Sequence, residues 1–225
     1  MSSPAINLQS ILRLPLTSPE IASTLRAVNN GEPVPDPDIK SYSDSVYFNY
    51  YSLGLSLLYA PQQGYKPKQN LKFEELELEK LVLDSIDVYN VPPAKDSDKK
   101  SGKSAFATYP ALPLVVELAN LKDGDNDPIV RAPSISITAT TTGKDLVSTL
   151  GEPDKKGGGA GPSNGSIDIW TEWYKDGVMV EFGGDEARGP QAWERGKDAA
   201  WRVLTLYKTF PLGLPTEGAG SSESD

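Results

Sequence analysis

Val46-Tyr47-Phe48-Asn49-Tyr50-Tyr51-Ser52-Leu53-Gly54-Leu55-Ser56-Leu57 and Ile169-Trp170-Thr171-Glu172-Trp173-Tyr174-Lys175-Asp176-Gly177-Val178-Met179-Val180 follow one pattern. Each is an aromatic, β-branched run, then a short turn closing on glycine, then an alternating apolar return. Residues of the first kind favour strands. A turn ending in glycine, Asp-Gly above all, joins two such runs into a hairpin. On the return strands Leu55, Leu57 and Tyr59 share a face, as do Val178, Val180 and Phe182. Two antiparallel hairpins are therefore expected.

The similarity extends outward from both hairpins. Thr17 and Thr142 each stand three residues before an acid, Glu20 and Asp145. That is a capping-box spacing, with the acid where a helix dipole favours it. Ser23-Thr24-Leu25 matches Ser148-Thr149-Leu150. Asn29, Asn30 and Gly31 end the first expected helix, and Gly151 with Pro153 ends the second. Strand candidates Ile11 to Leu16 and Ser134 to Thr140 precede the helices. Leu83 to Tyr89 and Trp201 to Tyr207 close the two units. The fold class expected is α+β: two related strand-helix-hairpin-strand units with antiparallel sheets, able to pack as one domain.

Residues 1–91 form the first unit on this reading. Residues 92–133 are a linker with one strand candidate, Pro110 to Leu121. Residues 134–210 form the second unit, and 211–225 a disordered acidic tail. Pro92 to Ala105 has no apolar face and reads as a mobile loop. Leu71 to Lys80 suits a strand by its alternation and a helix by its Glu and Leu content.

Composition narrows the chemistry. The 225 residues include no Cys and no His. A Ser-His-Asp or Cys-His nucleophile cannot be built within this chain, nor can a disulfide or a zinc-finger site. Carboxylates, Lys, Tyr or Ser would have to carry any catalysis. The formal net charge of −9 opposes a broad nucleic-acid surface. No run approaches the ~18 apolar residues of a membrane span, and the first residues show no secretory pattern. A cytoplasmic protein without cofactor or metal is expected, monomeric or weakly associating.

Several residues are candidates for binding. Asp168, Trp170 and Glu172 share one face of an expected strand, with Trp173 on the other. A Trp flanked by acids can stack on a sugar while the acids accept hydroxyl bonds; the same pattern also suits a half-buried strand with solvated acids. As a hydrolytic pair, Asp168 and Glu172 would stand roughly 13 Å apart along a strand. That exceeds the ~5–9.5 Å of a glycosidase dyad. Lys155, Lys156, Gly157, Gly158 and Gly159 resemble an anion or lipid-headgroup cradle. They lack P-loop spacing, so a flexible linker is the plainer reading. Asp123, Asp125 and Asp127 lack the remaining positions of a calcium loop. Gln191 to Ala200 begins like a helix that Gly196 weakens, and Trp193 is a core plug or a partner anchor.

Tyr47 to Leu58 resembles the aromatic hairpin of the phagosome assembly factor family. Lys144 to Pro153, with its Leu150-Gly151-Glu152-Pro153 end, is similar to that family's helix and Leu-Gly-x-Pro element. Gly177 to Phe182 and Val203 to Tyr207 resemble its closing strands, in the same order. The resemblance implies a non-enzymatic protein that joins a partner on autophagic membranes. A protein partner or a membrane headgroup is therefore expected. Carbohydrate binding through Trp170 and Trp173 is the alternative, and a carboxylate-dependent hydrolase the third reading.

Overall fold

Strand periodicity dominates the chain, and most regular structure is accordingly sheet. A computed structural model describes residues 6–91, 106–122, 125, 127–160 and 166–209, except for the side chains of residues 160, 166 and 167. The expected loop at 92–105, the tail at 211–225, Gly161 and Asp123 lie outside the described residues. The main strands are β1 (Asp38–Ser41), β2 (Val46–Tyr50), β3 (Leu55–Pro61) and β4 (Leu81–Tyr89). A small pair follows, β5 (Leu114–Glu117) and β6 (Ser134–Ile137). Then come β7 (Lys155–Ala160), β8 (Ser166–Trp173), β9 (Val178–Phe182) and β10 (Trp201–Tyr207). The helices are α1 (Pro19–Val28), α2 (Gly143–Leu150) and the short α3 (Ala192–Arg195). The α+β class holds, with β structure in the majority.

Eight strands make one antiparallel sheet in the order β1-β2-β3-β4-β10-β9-β8-β7, and β5-β6 stand apart. The middle of the sheet is the β4–β10 pair, where Val88 lies opposite Leu204 and Ile86 opposite Leu206.

Alternation sorts the side chains into two faces. On one face the register aligns Phe48, Leu57, Ile86, Leu206, Val178 and Trp173 across six strands. All six are at most 2% exposed. A second row on this face runs Tyr50, Leu55, Val88, Leu204, Val180, Thr171. Ile21, Leu25 and Val28 of α1, with Leu146 and Leu150 of α2, belong to the same buried cluster. Burying a side chain of this size contributes ~1.5–3 kcal/mol, so these rows anchor the sheet.

The hairpins form as expected. Tyr51–Leu53 and Tyr174–Asp176 each make a single 3-10 turn, closed by Gly54 and Gly177 in the left-handed region at φ 57° and 65°.

Three expectations need correction. Ile11 to Leu16 is not a strand. A 3-10 helix at Leu8–Ile11 is followed by a turn with Arg13 at φ 75°. Beyond that turn Arg13 and Leu16 donate to the Leu83 and Leu81 carbonyls and Leu14 accepts from the Leu83 N–H, around an isolated bridge from Pro15 to Val82. Ser18, not Thr17, takes the N-cap position of the first helix, without a side-chain bond to its backbone, and the Thr17 hydroxyl reaches Glu79 instead. The other strand candidate, Ser134 to Thr140, does contribute a strand, β6, which pairs with β5. Leu71 to Lys80 is neither long strand nor α-helix: two 3-10 turns, Phe73–Glu75 and Leu78–Lys80, carry it.

Candidate functional site: the polar face of the sheet

The residues alternating with the buried rows build the opposite face. One row crosses all eight strands in register: Asp38, Asn49, Ser56, Asp87, Thr205, Met179, Glu172, Lys155. Such a row arises because every strand keeps its two-residue period through the seam. It is bonded laterally. Asn49 Nδ2 donates to the Asp38 carbonyl at 3.1 Å, and Ser56 Oγ to Asn49 Oδ1 at 2.8 Å. Thr205 Oγ1 donates to Asp87 Oδ1 at 2.7 Å, and Lys155 lies 3.1 Å from Glu172. Apart from Asn49 and Ser56, the row's residues keep partial or full exposure.

The neighbouring row is Tyr89, Val203, Glu181, Trp170. Beside the seam the two rows leave a recess of about 440 Å³. Tyr47, Tyr89, Met179 and Arg202 wall it, and Asp87 and Glu181 supply its acids. Burial pushes the Asp87 carboxyl above its usual range, and the Glu181 charge adds to this; the Thr205 bond offsets part of it. Burial and the charge of Asp87 likewise raise the Tyr47 and Tyr89 phenols. Neither Asp87 nor Glu181 has an ion pair among the described residues. Arg202, the cation in this recess, is bonded at 3.1 Å to Asp168.

The recess continues into a second one of about 600 Å³, bounded by Arg13, Asp84, Tyr174 and Tyr207. Tyr207 OH donates to Glu172 Oε1 at 2.6 Å. Burial acts to raise the Glu172 carboxyl, but the Tyr207 bond and Lys155 outweigh it and hold it below its usual range. At the far side Phe106 stacks on Tyr89 with centroids 3.7 Å apart and contacts Tyr51.

The sequence candidates fall in three places. Asp168, Trp170 and Glu172 lie on this face, and their acids are engaged rather than solvated. Asp168 meets both Arg188 and Arg202. Trp170 lies against Gly157, where an added Cβ would come within 2.7 Å of the indole. Trp173 is in the core, 2% exposed, with its indole N–H donating to the Gly151 carbonyl at 2.9 Å. The flexible-linker reading of Lys155 to Gly161 is corrected for 155–160. Lys155, Lys156, Gly157, Gly158 and Gly159 belong to β7, and the missing side chains let Trp170 close over the strand. Lys155 is bound to Glu172, whereas Lys156 reaches across to the ring of exposed Trp193 at 5.7 Å. Of Gln191 to Ala200, only Ala192–Arg195 is α-helical, and a 3-10 turn at Gly196–Asp198 follows it.

Asp87, Glu181, Tyr47, Tyr89 and Thr205 escaped the sequence reading. Their signal was the alternation Ser85, Asp87, Tyr89 against Ile86 and Val88, which becomes a site only once β4 meets β10. No group of three or more acids among the described residues could hold a metal ion. No helix among them is long and apolar enough to cross a membrane. In comparisons with known proteins, no family model, no curated protein and no solved structure matches the chain.

Proposed function

We propose that the protein is a non-catalytic binding or adaptor protein whose polar sheet face takes a basic polypeptide segment. The observation that carries this reading is the pair Asp87 and Glu181 in a tyrosine-walled recess at the β4–β10 seam, without a cation partner among the described residues. An acid held above its normal pKa costs stability when ionised, and such costs are retained mainly at functional sites. Tyr and Arg side chains around a recess are also the usual anchors of interfaces. The net charge of −9 favours approach of a cationic partner. The resemblance of Tyr47 to Leu58 to the phagosome assembly factor family extends the proposal to a cytoplasmic role beside autophagic membranes.

The proposal includes two related units, residues 1–91 and 134–210, joined edge to edge. Reading outward from the seam, β4, β3, β2, β1 face β10, β9, β8, β7. The Tyr89 N–H donates to Gly54 O and the Tyr207 N–H to Gly177 O, both at 2.9 Å. These equivalences support duplication. A carbohydrate site around Trp170 has less support, since its neighbouring acids are held by Arg188, Arg202 and Lys155.

The test is a titration with an arginine-rich peptide (nona-arginine). The Asp87→Asn, Glu181→Gln double variant should bind at least about tenfold more weakly than the parent. A Glu20→Gln, Glu32→Gln double variant, with the same net charge, should bind like the parent. Equal losses in both would reduce the effect to bulk charge and sink the proposal, as would no binding at low salt. Asp87→Asn alone also has a stability signature. With the folded pKa raised, the native state holds the proton longer, so stability falls as pH rises through the window above the ordinary value of 3.8. Asp87→Asn should therefore melt higher than the parent at pH 7, with the gap closing toward pH 4.

A further inference from the structure

The geometry points to a second binding site, for a small amphipathic anion made of an apolar body with one carboxylate. It is a cavity of about 400 Å³ on the helix side of the sheet, between α2, α3 and the β7–β8 edge. Val147, Ile169, Phe182 and Trp193 give it apolar walls. Its volume falls within the ~300–1,000 Å³ range of small-ligand pockets.

Charge at the rim selects the ligand class. Lys144, Lys156 and Lys197 all line the cavity, with Glu152 as its one carboxylate. In a chain of net charge −9 this is a local reversal. None of the three lysines forms an ion pair among the described residues, and Lys156 instead lies over the Trp193 ring. A carboxylate at this rim would complete them.

Thr171 adds a buried, unpaired polar group. It lines the cavity and is 6% exposed, yet its hydroxyl has no hydrogen-bond partner. It also interrupts the buried row Tyr50, Leu55, Val88, Leu204, Val180, which is otherwise apolar or aromatic. An unpaired hydroxyl costs stability in a buried site unless something bonds it.

The first hairpin explains the space. Aligning the two hairpins on Gly54 and Gly177 sets Phe48 against Thr171 and Tyr59 against Phe182. In the first hairpin the Phe48 ring fills the space beside Tyr59, edge to face at 5.1 Å. In the second, a threonine stands where that ring would be, and the cavity opens beside Phe182. The same architecture thus carries a plugged site in one half and an open, cation-rimmed site in the other.

The experiment titrates decanoate by calorimetry at low salt (about 50 mM). Saturable one-to-one binding is expected, with decanol, which has the chain but no charge, at least about tenfold weaker. Thr171→Phe restores the plug and should abolish binding while the fold, followed by circular dichroism, persists. Should that variant fail to fold, Thr171→Val and a Lys156→Gln, Lys197→Gln double variant replace it, each expected to weaken binding severalfold. Decanoate that does not saturate up to about 1 mM overturns the proposal. So does an affinity unchanged in the variants. Phosphatidylglycerol vesicles form a separate arm. Vesicle binding that Thr171→Phe leaves intact, without decanoate binding, assigns the lysines to a membrane surface and also overturns it.

Discussion

Gly54 and Gly177 hold equivalent places, and each is fixed by what stands against it. Both have positive φ, and both carbonyls accept from a closing tyrosine, Tyr89 or Tyr207. A Cβ on Gly177 would lie 2.0 Å from the Tyr207 carbonyl oxygen, and one on Gly54 would lie 2.4 Å from that of Ala107. Gly177→Ala therefore meets a left-handed backbone penalty of ~1–2 kcal/mol and a backbone clash as well. The variant should lose at least about 2 kcal/mol in urea unfolding. A loss under half of that would mean that the turn relaxes freely. Asp176, one residue earlier, is a buried acid that also accepts the Ala119 N–H at 2.9 Å.

Among the elements, α2 starts as its residues dictate. Thr142 accepts from the Asp145 N–H, and the Asp145 carboxylate accepts from the Thr142 N–H at 2.8 Å. That reciprocal bond holds the Asp145 carboxyl below its usual range. Thr142→Ala should cost ~1 kcal/mol of stability at pH 7. A depressed pKa stabilises above the unfolded value of 3.8 and ceases to do so as pH falls through the folded one. The difference between the variant and its parent should therefore narrow below about pH 4 in pH-resolved thermal melts. The first helix lacks this device. Glu20 is engaged by the Ser18 side chain, and Ser18 makes no side-chain bond to the helix backbone. Strand β7 shows the opposite relation between sequence and element. Its glycines disfavour a strand intrinsically, and the neighbouring Trp170 takes the room they leave.

At the scale of the whole molecule, a shielded ion pair helps to tie the β5–β6 region to the main sheet. Arg131 donates to Asp176 Oδ2 at 2.9 Å and to the Ala119 carbonyl at 2.6 Å. The Arg131 and Asp176 side chains are 11% and 2% exposed, so the pair is shielded from water. It joins the β5–β6 region to the turn between β8 and β9. Breaking a buried pair leaves an uncompensated charge, which costs ~3–5 kcal/mol. Arg131→Met should lose about that much in denaturant unfolding, whereas Lys40→Met, at an exposed pair with Asp38, should lose under about 1 kcal/mol. Comparable losses would show that the Arg131 pair is no better shielded than a surface one.

Much of the fold was legible because it rests on local chemistry. Aromatic alternation marked β2, β3, β8 and β9, glycine marked the turns, and Thr142 with Asp145 marked α2. Local preference misled at Ile11 to Leu16, where a 3-10 helix and the positive φ of Arg13 replace a regular strand, although Arg13, Leu14 and Leu16 still bond to the β4 backbone. It misled again at Lys155 to Ala160, where a partner strand recruits glycine. The candidate site was less legible. Trp170 and the neighbouring acids stood out by residue type, yet they are engaged by Arg188, Arg202 and Lys155 from distant segments. Asp87 and Glu181 were marked only by strand alternation, which does not tell a site from a solvated face. The sequence alone determined an α+β chain of antiparallel hairpins that lacks histidine and thiol chemistry. It did so because periodicity, turn glycines and residue inventory are local properties. Tertiary structure decided that β4 pairs with β10, that one polar row crosses eight strands, and that Thr171 opens a cavity where Phe48 fills one. Those outcomes depend on long-range register and packing, which no single segment encodes.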